Sequence, residues 1–255
     1  MDFIISADTD IGNTRKTNQD SVAVLIADTG NEPIAFGVVC DGMGGLAKGE
    51  LASATLINAM VNWFKNDFPK LLSSGLDDGI IREQWTEIVR NNNEIIKSYG
   101  ADNGFNLGTT ISAILITCKR YYVINVGDSR VYEISNSVKQ LTEDQTVVAQ
   151  ELKYGRITQE QAKNDPRNSV LLQCIGASQI VNPDFFFGTP LENATYMLCS
   201  DGFRHKISNE EIFNYFSPSS NNDVNTMSSN IRQLIEINKQ RMEKDNITAA
   251  LIRTF

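Results

Sequence analysis

The chain has 255 residues, of which 41% are hydrophobic and 21% are charged, as is ordinary for a globular protein. It carries 31 acidic and 23 basic residues, a formal net charge of −8, which argues against a general affinity for nucleic acid or anionic lipid. No apolar run approaches the ~18 residues of a membrane span, and the first residues, MDFIISADTD, lack the basic segment of a signal peptide. Four scattered cysteines without zinc-type spacing indicate buried thiols in a reducing compartment. We therefore predict a cytoplasmic protein that binds neither nucleic acid nor membrane.

The first part of the chain alternates short strands with turn residues. The predicted strands are FIISADTD, DSVAVLIAD and PIAFGVVC. Two helical stretches follow, and each has one apolar stripe at helical spacing. The stripes are Ala52, Leu56, Ala59, Met60 and Trp63 in the first stretch, and Ile81, Trp85, Ile88, Ile95 and Tyr99 in the second.

Strands return with TTISAILITC and RYYVINVGDSRVYEI, which are rich in β-branched and aromatic residues. Residues 143–181 contain short polar helical pieces, and Thr158 with Gln161 predicts a capping box there. The strands PDFFFGTPL and ATYMLCSDG lead to a second predicted capping box, Ser208 with Glu211.

A last amphipathic helix precedes the closing strand NITAALIRTF. Its predicted apolar residues are Val224, Met227, Ile231, Leu234 and Met242. Strands thus come in neighbouring groups with helices inserted in pairs. This order predicts an α+β sandwich of antiparallel sheets covered by helix pairs, and not a Rossmann series.

Five aspartates lie where a predicted buried strand meets a loop, a place where functional sites concentrate. They are Asp20, Asp41, Asp128, Asp201 and Asp245. For any one of them a turn is the alternative reading, because Asp-Gly, found at 41–42 and 201–202, is a favoured turn pair. Close carboxylates repel one another, so a shared site needs cations, and hard oxygen ligands favour Mg²⁺, Mn²⁺ or Ca²⁺ over zinc. The residues alone support a divalent-metal site and leave its chemistry open.

Nine short motifs follow one another along nearly the whole chain. They are GNTRKTNQDS, CDGMGGLAKGELAS, GTT, INVGDSRVY, LTEDQTVV, GRITQEQA, RNSVLLQCIG, MLCSDGF and DNITAALI. In this order the sequence resembles the metal-dependent protein phosphatases of the protein phosphatase 2C type, most closely their bacterial branch. The resemblance implies one phosphatase domain over residues 1–255. It also implies a four-layer αββα sandwich, two antiparallel sheets flanked by helix pairs, with a flap near residues 143–181.

The resemblance also implies a metal centre. Asp41 matches the aspartate that bridges two metal ions, and Gly42 the residue that offers its carbonyl to one of them. Asp201 and Asp245 match the other two carboxylates of this binuclear centre. Asp128 matches the ligand of a third, weaker ion seen in bacterial relatives, where Asp201 is shared.

Three further residues match supporting positions of the family. Asp20 matches the acidic residue that holds a metal-bound water, and Asn246 would support Asp245. Arg15, five residues before Asp20, matches the phosphate-binding arginine, a role that a planar guanidinium fork suits. A solvated loop charge is the alternative for Arg15.

The implied activity is metal-dependent hydrolysis of phosphoserine and phosphothreonine in proteins. A water activated by two Mn²⁺ or Mg²⁺ ions would attack phosphorus in line, without a covalent intermediate. The partners would be phosphorylated proteins made by a Ser/Thr kinase, and we expect a monomer. One alternative is a catalytically weak or inactive relative that binds phosphoproteins, and another is a phosphatase of small esters.

The chain departs from the family pattern in its histidines. Relatives have histidine at the positions of Met43 or Leu46, and at those of Gln145 and Asn164. The single histidine of the chain, His205, is predicted to be a surface loop residue. This departure bears on the rate and its pH dependence and favours the inactive alternative, whereas the intact carboxylate set favours the enzyme.

Overall fold

The computed structural model describes residues 1–30, 32–44 and 48–255. The strands are β1 (Phe3–Asp10), β2 (Asp20–Asp28), β3 (Pro33–Gly44), β4 (Leu107–Thr109), β5 (Ile111–Ile116), β6 (Tyr121–Val126), β7 (Arg130–Ile134), β8 (Val138–Gln140), β9 (Asp184–Gly188), β10 (Ala194–Cys199) and β11 (Ile247–Thr254). The helices are α1 (Gly49–Asn66), α2 (Phe68–Ser74), α3 (Asp78–Asn103), α4 (Val147–Lys153), α5 (Gln159–Lys163), α6 (Asp201–Arg204), α7 (Asn209–Phe216) and α8 (Val224–Gln240). Within these ranges no helix combines the length and the apolar character that crossing a bilayer requires.

The strands form two antiparallel sheets. The first sheet has the order β1-β11-β10-β7-β8, and the second has the order β2-β3-β5-β6-β9, with β4 paired to the far end of β3. In the first sheet Ile252 lies opposite both Ile5 and Tyr196. In the second sheet Asp20 lies opposite Asp41, so the register of β2 on β3 places two acidic residues side by side.

Three hydrophobic cores separate four layers, because successive side chains of a strand point to opposite faces. Val39 of β3 and Ile252 of β11 face the core between the sheets. Val38 of β3 faces the helices α1 and α3, and Leu251 of β11 faces α7 and α8. This arrangement confirms the predicted αββα sandwich.

The apolar stripe predicted for α3 is wrong in its second half. Ile95 and Tyr99 are 57% and 38% exposed, whereas Val89 and Ile96 are buried. Steps of three or four residues from Trp85 reach positions 89, 92, 93, 96 and 100, and these face the second sheet. Ile95 and Tyr99 are each one residue out of that phase.

The stripe predicted for α8 is correct only in its middle. Met227, Ile231 and Leu234 are buried as predicted. Val224 is exposed at the first position of the helix, and Met242 lies beyond its end at Gln240 and is 71% exposed. The apolar face therefore covers fewer turns than the sequence pattern indicates.

The segment 143–181 contains α4 and α5 and is fastened at both ends. Thr146 bridges to Leu171, and Ile175 exchanges two backbone hydrogen bonds with Thr109 of β4, at 2.9 and 3.0 Å. The side chain of Asn93 on α3 accepts a hydrogen bond of 2.7 Å from the Gly176 amide. The flap is thus attached to the strand that pairs with the end of β3.

Both predicted capping boxes are confirmed. Thr158 Oγ1 accepts from the Gln161 amide while the Gln161 side chain accepts from the Thr158 amide. Ser208 and Glu211 make the same reciprocal pair at the start of α7. Each box satisfies two backbone donors that a helix start leaves without partners.

Trp85 is the centre of an aromatic cluster between α3 and the second sheet, and its replacement by Ala is expected to destabilise the fold by about 3–5 kcal/mol. The ring is fully buried, with Trp63 edge-on at 5.3 Å and Phe36 at 6.3 Å between centroids. Among the described residues its indole Nε1 has no hydrogen-bond partner. Trp85→Phe should therefore cost much less, because it keeps most of the ring and removes a buried unpaired donor.

Urea denaturation of the wild type, Trp85→Ala and Trp85→Phe measures these differences in the free energy of unfolding. Ile95→Ala, on the exposed side of the same helix, is the control and should change the free energy of unfolding by less than about 0.5 kcal/mol. A large loss at Ile95 with little loss at Trp85 would show that the buried face of α3 is assigned incorrectly.

Candidate metal centre

Asp41 lies inside β3 and not at its end, because the strand continues to Gly44 and pairs there with β4. The next residue, Gly42, donates its N–H to the Gln19 carbonyl at 3.1 Å. A Cβ added to Gly42 would lie 2.3 Å from the Gly49 carbonyl oxygen and 2.4 Å from that of Gln19. Glycine is therefore required here for the start of α1 to approach the strand that carries Asp41.

Asp201 and Asp245 lie beside the ends of two neighbouring strands of the other sheet, β10 and β11. Asp201 is the first residue of α6, immediately after β10, and Asp245 lies just before β11. A Cβ on Gly202 would be 2.1 Å from the Asn246 carbonyl oxygen and 3.2 Å from the Asp245 Cβ. The backbones that carry these two carboxylates are thus in direct contact.

Threonine hydroxyls fix the acidic residues of the second sheet. The Asp41 N–H donates to Thr110 Oγ1 at 3.0 Å, and Thr109 Oγ1 donates to the Asp41 carbonyl at 3.0 Å. Thr248 of β11 donates its hydroxyl to Asp20 Oδ2 at 2.6 Å, which joins the two sheets. No local pattern indicated the role of Thr248, because the contact spans 228 positions.

The five aspartates are close enough to act on one another electrostatically, and Asp20, Asp128 and Asp201 are buried. Burial raises the pKa of Asp41 well above its usual value, and the charges of Asp20, Asp201, Asp128 and Asp245 raise it further. Burial, with the neighbouring charges of Asp201 and Asp245, raises the pKa of Asp20 to about 7. Burial and then the charge of Asp201 raise the pKa of Asp128 to about 7. The structure therefore brings the five predicted carboxylates within electrostatic reach of one another, where burial and neighbouring charges oppose the ionisation of Asp20, Asp41 and Asp128.

Arg15 donates two parallel hydrogen bonds to the carboxylate of Asp245. Its Nε and Nη2 lie 2.9 and 2.7 Å from the two carboxylate oxygens of Asp245. The hydrogen bond to Asp245 raises the pKa of the guanidinium, and Asp41 and Asp201 also act on it electrostatically. Arg15 is thus part of the acidic cluster and not a solvated loop charge, although half of its side chain is exposed.

Asn246 fastens the loop that carries Arg15. Its Oδ1 accepts from the Gln19 amide at 2.9 Å, and its Nδ2 donates to the carbonyls of Ile11 and Thr17 at 3.0 and 3.2 Å. Its own backbone N–H donates to Asp245 Oδ1 at 2.9 Å. Asn246 therefore supports both Asp245, as the resemblance implies, and the loop that holds Arg15.

The oxygen atoms at this site are suitable ligands for hard divalent ions. Asp201 Oδ1 is buried and has no hydrogen-bond partner among the described residues, so an oxygen that needs a cation points into the cluster. Carboxylate and carbonyl oxygens are the ligands that Mg²⁺ and Mn²⁺ prefer. In the part of the chain described, no three Asp, Glu, His or Cys side chains are arranged so that they could hold an ion together.

His205 is exposed, as predicted, but it contacts the acidic cluster. Its Nε2 lies 3.4 Å from Asp201 Oδ2, and its Nδ1 lies 3.6 Å from Oε2 of the buried Glu243. The spacing of four residues between Asp201 and His205 could have indicated this contact, since such residues are neighbours on a helix. Glu243 gave no comparable signal.

The positions where relatives have histidine are only partly involved in the site. Gln145 is buried, accepts from the Gly127 amide at 2.9 Å and donates to Asp184 at 2.7 Å, so it fastens the base of the flap. Asn164 is exposed at the end of α5. Leu46 lies outside the described residues.

Comparison with known proteins identifies the family. The family model of protein phosphatase 2C matches residues 13–237. The chain belongs to the protein phosphatase 2C family. It is 30% identical to the protein phosphatase PhpP of Streptococcus pneumoniae over 253 residues, which are 97% of this chain and 96% of that protein. The family predicted from the nine motifs is confirmed.

Solved structures of this phosphatase family share the fold. The serine/threonine phosphatase of S. agalactiae superimposes with a TM-score of 0.86 at 28% identity, covering 99% of this chain and all of that one. The catalytic domain of the phosphatase PstP in complex with two manganese ions has a TM-score of 0.79 at 27% identity, covering 98% and 97%. The predicted enzyme class, a protein-serine/threonine phosphatase, is confirmed by these relatives.

The metal-free phosphatase is expected to lose stability as the pH rises from about 4 to about 7. Asp20 and Asp128 keep a proton up to about pH 7 in the folded state, but only up to about pH 4 in the unfolded chain. The folded state therefore binds more protons across this window, and its free energy of unfolding falls as the pH rises. Thermal unfolding in EDTA at a series of pH values measures this slope.

Asp20→Asn should flatten the slope, since it removes one of the carboxyl groups whose pKa is raised. Asp28→Asn is the matched control, because Asp28 is exposed at the opposite end of β2 and should leave the slope unchanged. An unchanged slope in Asp20→Asn would contradict a raised pKa at this position.

Proposed function

We propose that this chain hydrolyses phosphoserine and phosphothreonine esters in proteins with two Mn²⁺ or Mg²⁺ ions, held by Asp41, Asp201, Asp245 and the Gly42 carbonyl. The observation that carries the proposal is the cluster of crowded carboxylates, in which one oxygen of Asp201 has no hydrogen-bond partner among the described residues. The relatives named above, one of them in complex with two manganese ions, support the same chemistry.

The chain's own groups have separate tasks in this reaction. When bound, the two ions supply Lewis acidity that lowers the pKa of water toward neutrality. Asp41, Asp201 and Asp245 hold their charge in place, and Gly42 adds a carbonyl where no side chain fits. Asp20, fixed at 2.6 Å by Thr248, orients solvent next to them.

Arg15 binds the phosphoryl group. A guanidinium fork that grips both oxygens of a carboxylate fits two phosphoryl oxygens equally well. We infer that the Arg15 guanidinium would exchange its contact with Asp245 for one with the phosphoryl group, while Asn246 keeps the loop that carries Arg15 in reach. Asp245 would then be free to hold an ion. At the substrate, Arg15 stabilises the charge that develops on the phosphoryl oxygens.

The shape of the region favours a protein substrate over a small ester. A cleft of about 1000 Å³ begins at Asp128 and His205 and runs along the flap to Tyr154 and Leu172. This volume accommodates a stretch of polypeptide around the phosphorylated residue. A cognate Ser/Thr kinase, a monomeric state, a cytoplasmic location and a single domain over residues 1–255 remain predictions.

Asp201→Asn is expected to abolish phosphothreonine-peptide hydrolysis and to weaken Mn²⁺ binding, because it removes a ligand charge. Phosphate release by wild type and variant, with Mn²⁺ and with EDTA, measures the effect. Asp67→Asn, an exposed aspartate on the helix side of the second sheet, is the control and should retain full activity.

Two outcomes separate the candidate functions. Release that needs Mn²⁺ and is lost in Asp201→Asn supports the enzyme. Absence of release from metal-loaded wild type, across several peptides and pH values, would favour the phosphoprotein-binding alternative.

Arg15→Ala is expected to raise KM for phosphopeptides by roughly tenfold, the equivalent of one lost charge-assisted hydrogen bond. Mn²⁺ affinity should stay the same or increase, since Asp245 loses its competing partner. Steady-state kinetics and Mn²⁺ titration test both parts, and Arg15→Lys should recover some of the loss. Unchanged KM would rule out the phosphate-binding role.

A further inference from the structure

Arg204, the last residue of α6, is a buried cation next to Asp128. Its side chain is 14% exposed, and its Nη2 lies 3.1 Å from the Asp128 carbonyl and 3.4 Å from Asp128 Oδ2. Asp128 itself is 5% exposed in the turn between β6 and β7. The guanidinium therefore already supplies a positive charge to the carboxylate that the family resemblance assigns to a third ion.

Asp144 also pairs with Arg204, and Arg130 pairs in turn with Asp144. The Arg204 Nη2 lies 3.6 Å from Asp144 Oδ2, and Arg130 binds both oxygens of Asp144 at 2.7 Å. The charges thus alternate in the order Arg130, Asp144, Arg204, Asp128. Two cations therefore balance two anions in a series of mostly buried side chains. Removal of any one of the four would leave a buried charge without its partner.

A divalent ion at Asp128 would have to compete with this arrangement. It would share the Asp128 carboxylate with the Arg204 guanidinium, whose Nη2 lies 3.4 Å from Oδ2, and two cations on one poorly solvated carboxylate repel strongly. Moving Arg204 away would in turn separate it from Asp144. The residues at Asp128 therefore do not fit a third ion in the way that the main cluster fits two.

The neighbouring residue covers the second carboxylate that a third ion would share. His205 Nε2 lies 3.4 Å from Asp201 Oδ2, whereas Asp201 Oδ1 has no partner within the described ranges. One oxygen of Asp201 is thus occupied by a protein group, and the other remains for the binuclear centre. Two consecutive residues, Arg204 at the end of α6 and His205 just after it, thus contact the two carboxylates of the expected third site.

We propose that Arg204 takes the place of a third metal ion at Asp128, so that this chain binds two ions where the family resemblance implies three. The inference rests on the proposed function for the first two ions. It makes Arg204 a positioning residue, which fixes the turn between β6 and β7 without a metal and forms one end of the substrate cleft.

The test counts Mn²⁺ ions per chain by equilibrium dialysis, with free Mn²⁺ measured by its electron paramagnetic resonance signal. Arg204→Gln should bind one ion more than the wild type, and the extra ion should be lost again in Arg204→Gln with Asp128→Asn. Arg204→Lys keeps the cation and should bind the same number as the wild type. Because the result is a difference between variant and wild type, it can be scored whatever number the wild type binds.

Arg120→Gln is the matched control for loss of a positive charge. Arg120 pairs with Asp78 at the opposite end of β6, and this variant should bind no additional ion. A variant Arg204→Gln that binds no extra ion, or a gain that survives Asp128→Asn, would overturn the proposal.

A second measurement leaves Arg204 in place, in case its removal prevents folding. Asp128→Asn in the otherwise unchanged chain should bind as many Mn²⁺ ions as the wild type, and loss of one ion would overturn the inference. Failure of the proposed function looks different, because it appears as an unchanged ion count when Asp201 is replaced by Asn.

Discussion

The crowding of carboxylates in a region of low dielectric governs the rest of this structure. Two sheets meet so that Asp20 and Asp41 from one of them lie in the same field as Asp201 and Asp245 from the other. Hydrophobic burial on both sides of each sheet, including fully buried strands such as β11, supplies the stability that makes this arrangement tolerable. The threonine hydroxyls, the Asn246 contacts and the Arg15 fork all hold charges that would otherwise separate.

The two ends of the site balance their charges in different ways. At Asp128 the chain provides its own cations, in an alternating series that ends in Arg130. At Asp201 His205 contacts one oxygen at 3.4 Å, and the other oxygen has no partner among the described residues. A site that must bind ions reversibly benefits from this division, because permanent charges stiffen the surroundings while the exchangeable ones stay at the reacting centre.

The features of the fold that depend only on neighbouring residues could be predicted from the sequence. The capping boxes at Thr158 and Ser208 need only four consecutive residues, and the strand segments need only a short apolar run, so both could be predicted. The phase of the α3 stripe failed at Ile95 and Tyr99, because only packing against the second sheet decides which side of a helix is buried.

Contacts between distant segments could not be predicted from the residues alone. The pairing of Arg15 with Asp245 spans 230 positions, and that of Thr248 with Asp20 spans 228, so no local pattern announces them. The residues alone indicated a divalent-metal site at the five aspartates, and the resemblance to a family supplied their separate roles and that of Arg15. It was silent on Arg204 and on the contacts of His205.

Thr109 connects the flap to the metal centre through a single residue. Its backbone exchanges two hydrogen bonds with Ile175 at the end of the flap, and its hydroxyl donates to the Asp41 carbonyl. By thermodynamic reciprocity, if a protein bound at the flap changes the affinity of the proposed centre for ions by shifting Ile175 and Thr109, bound ions change the affinity for that protein by the same factor. Thr109 is the residue through which substrate recognition and metal occupancy would be coupled.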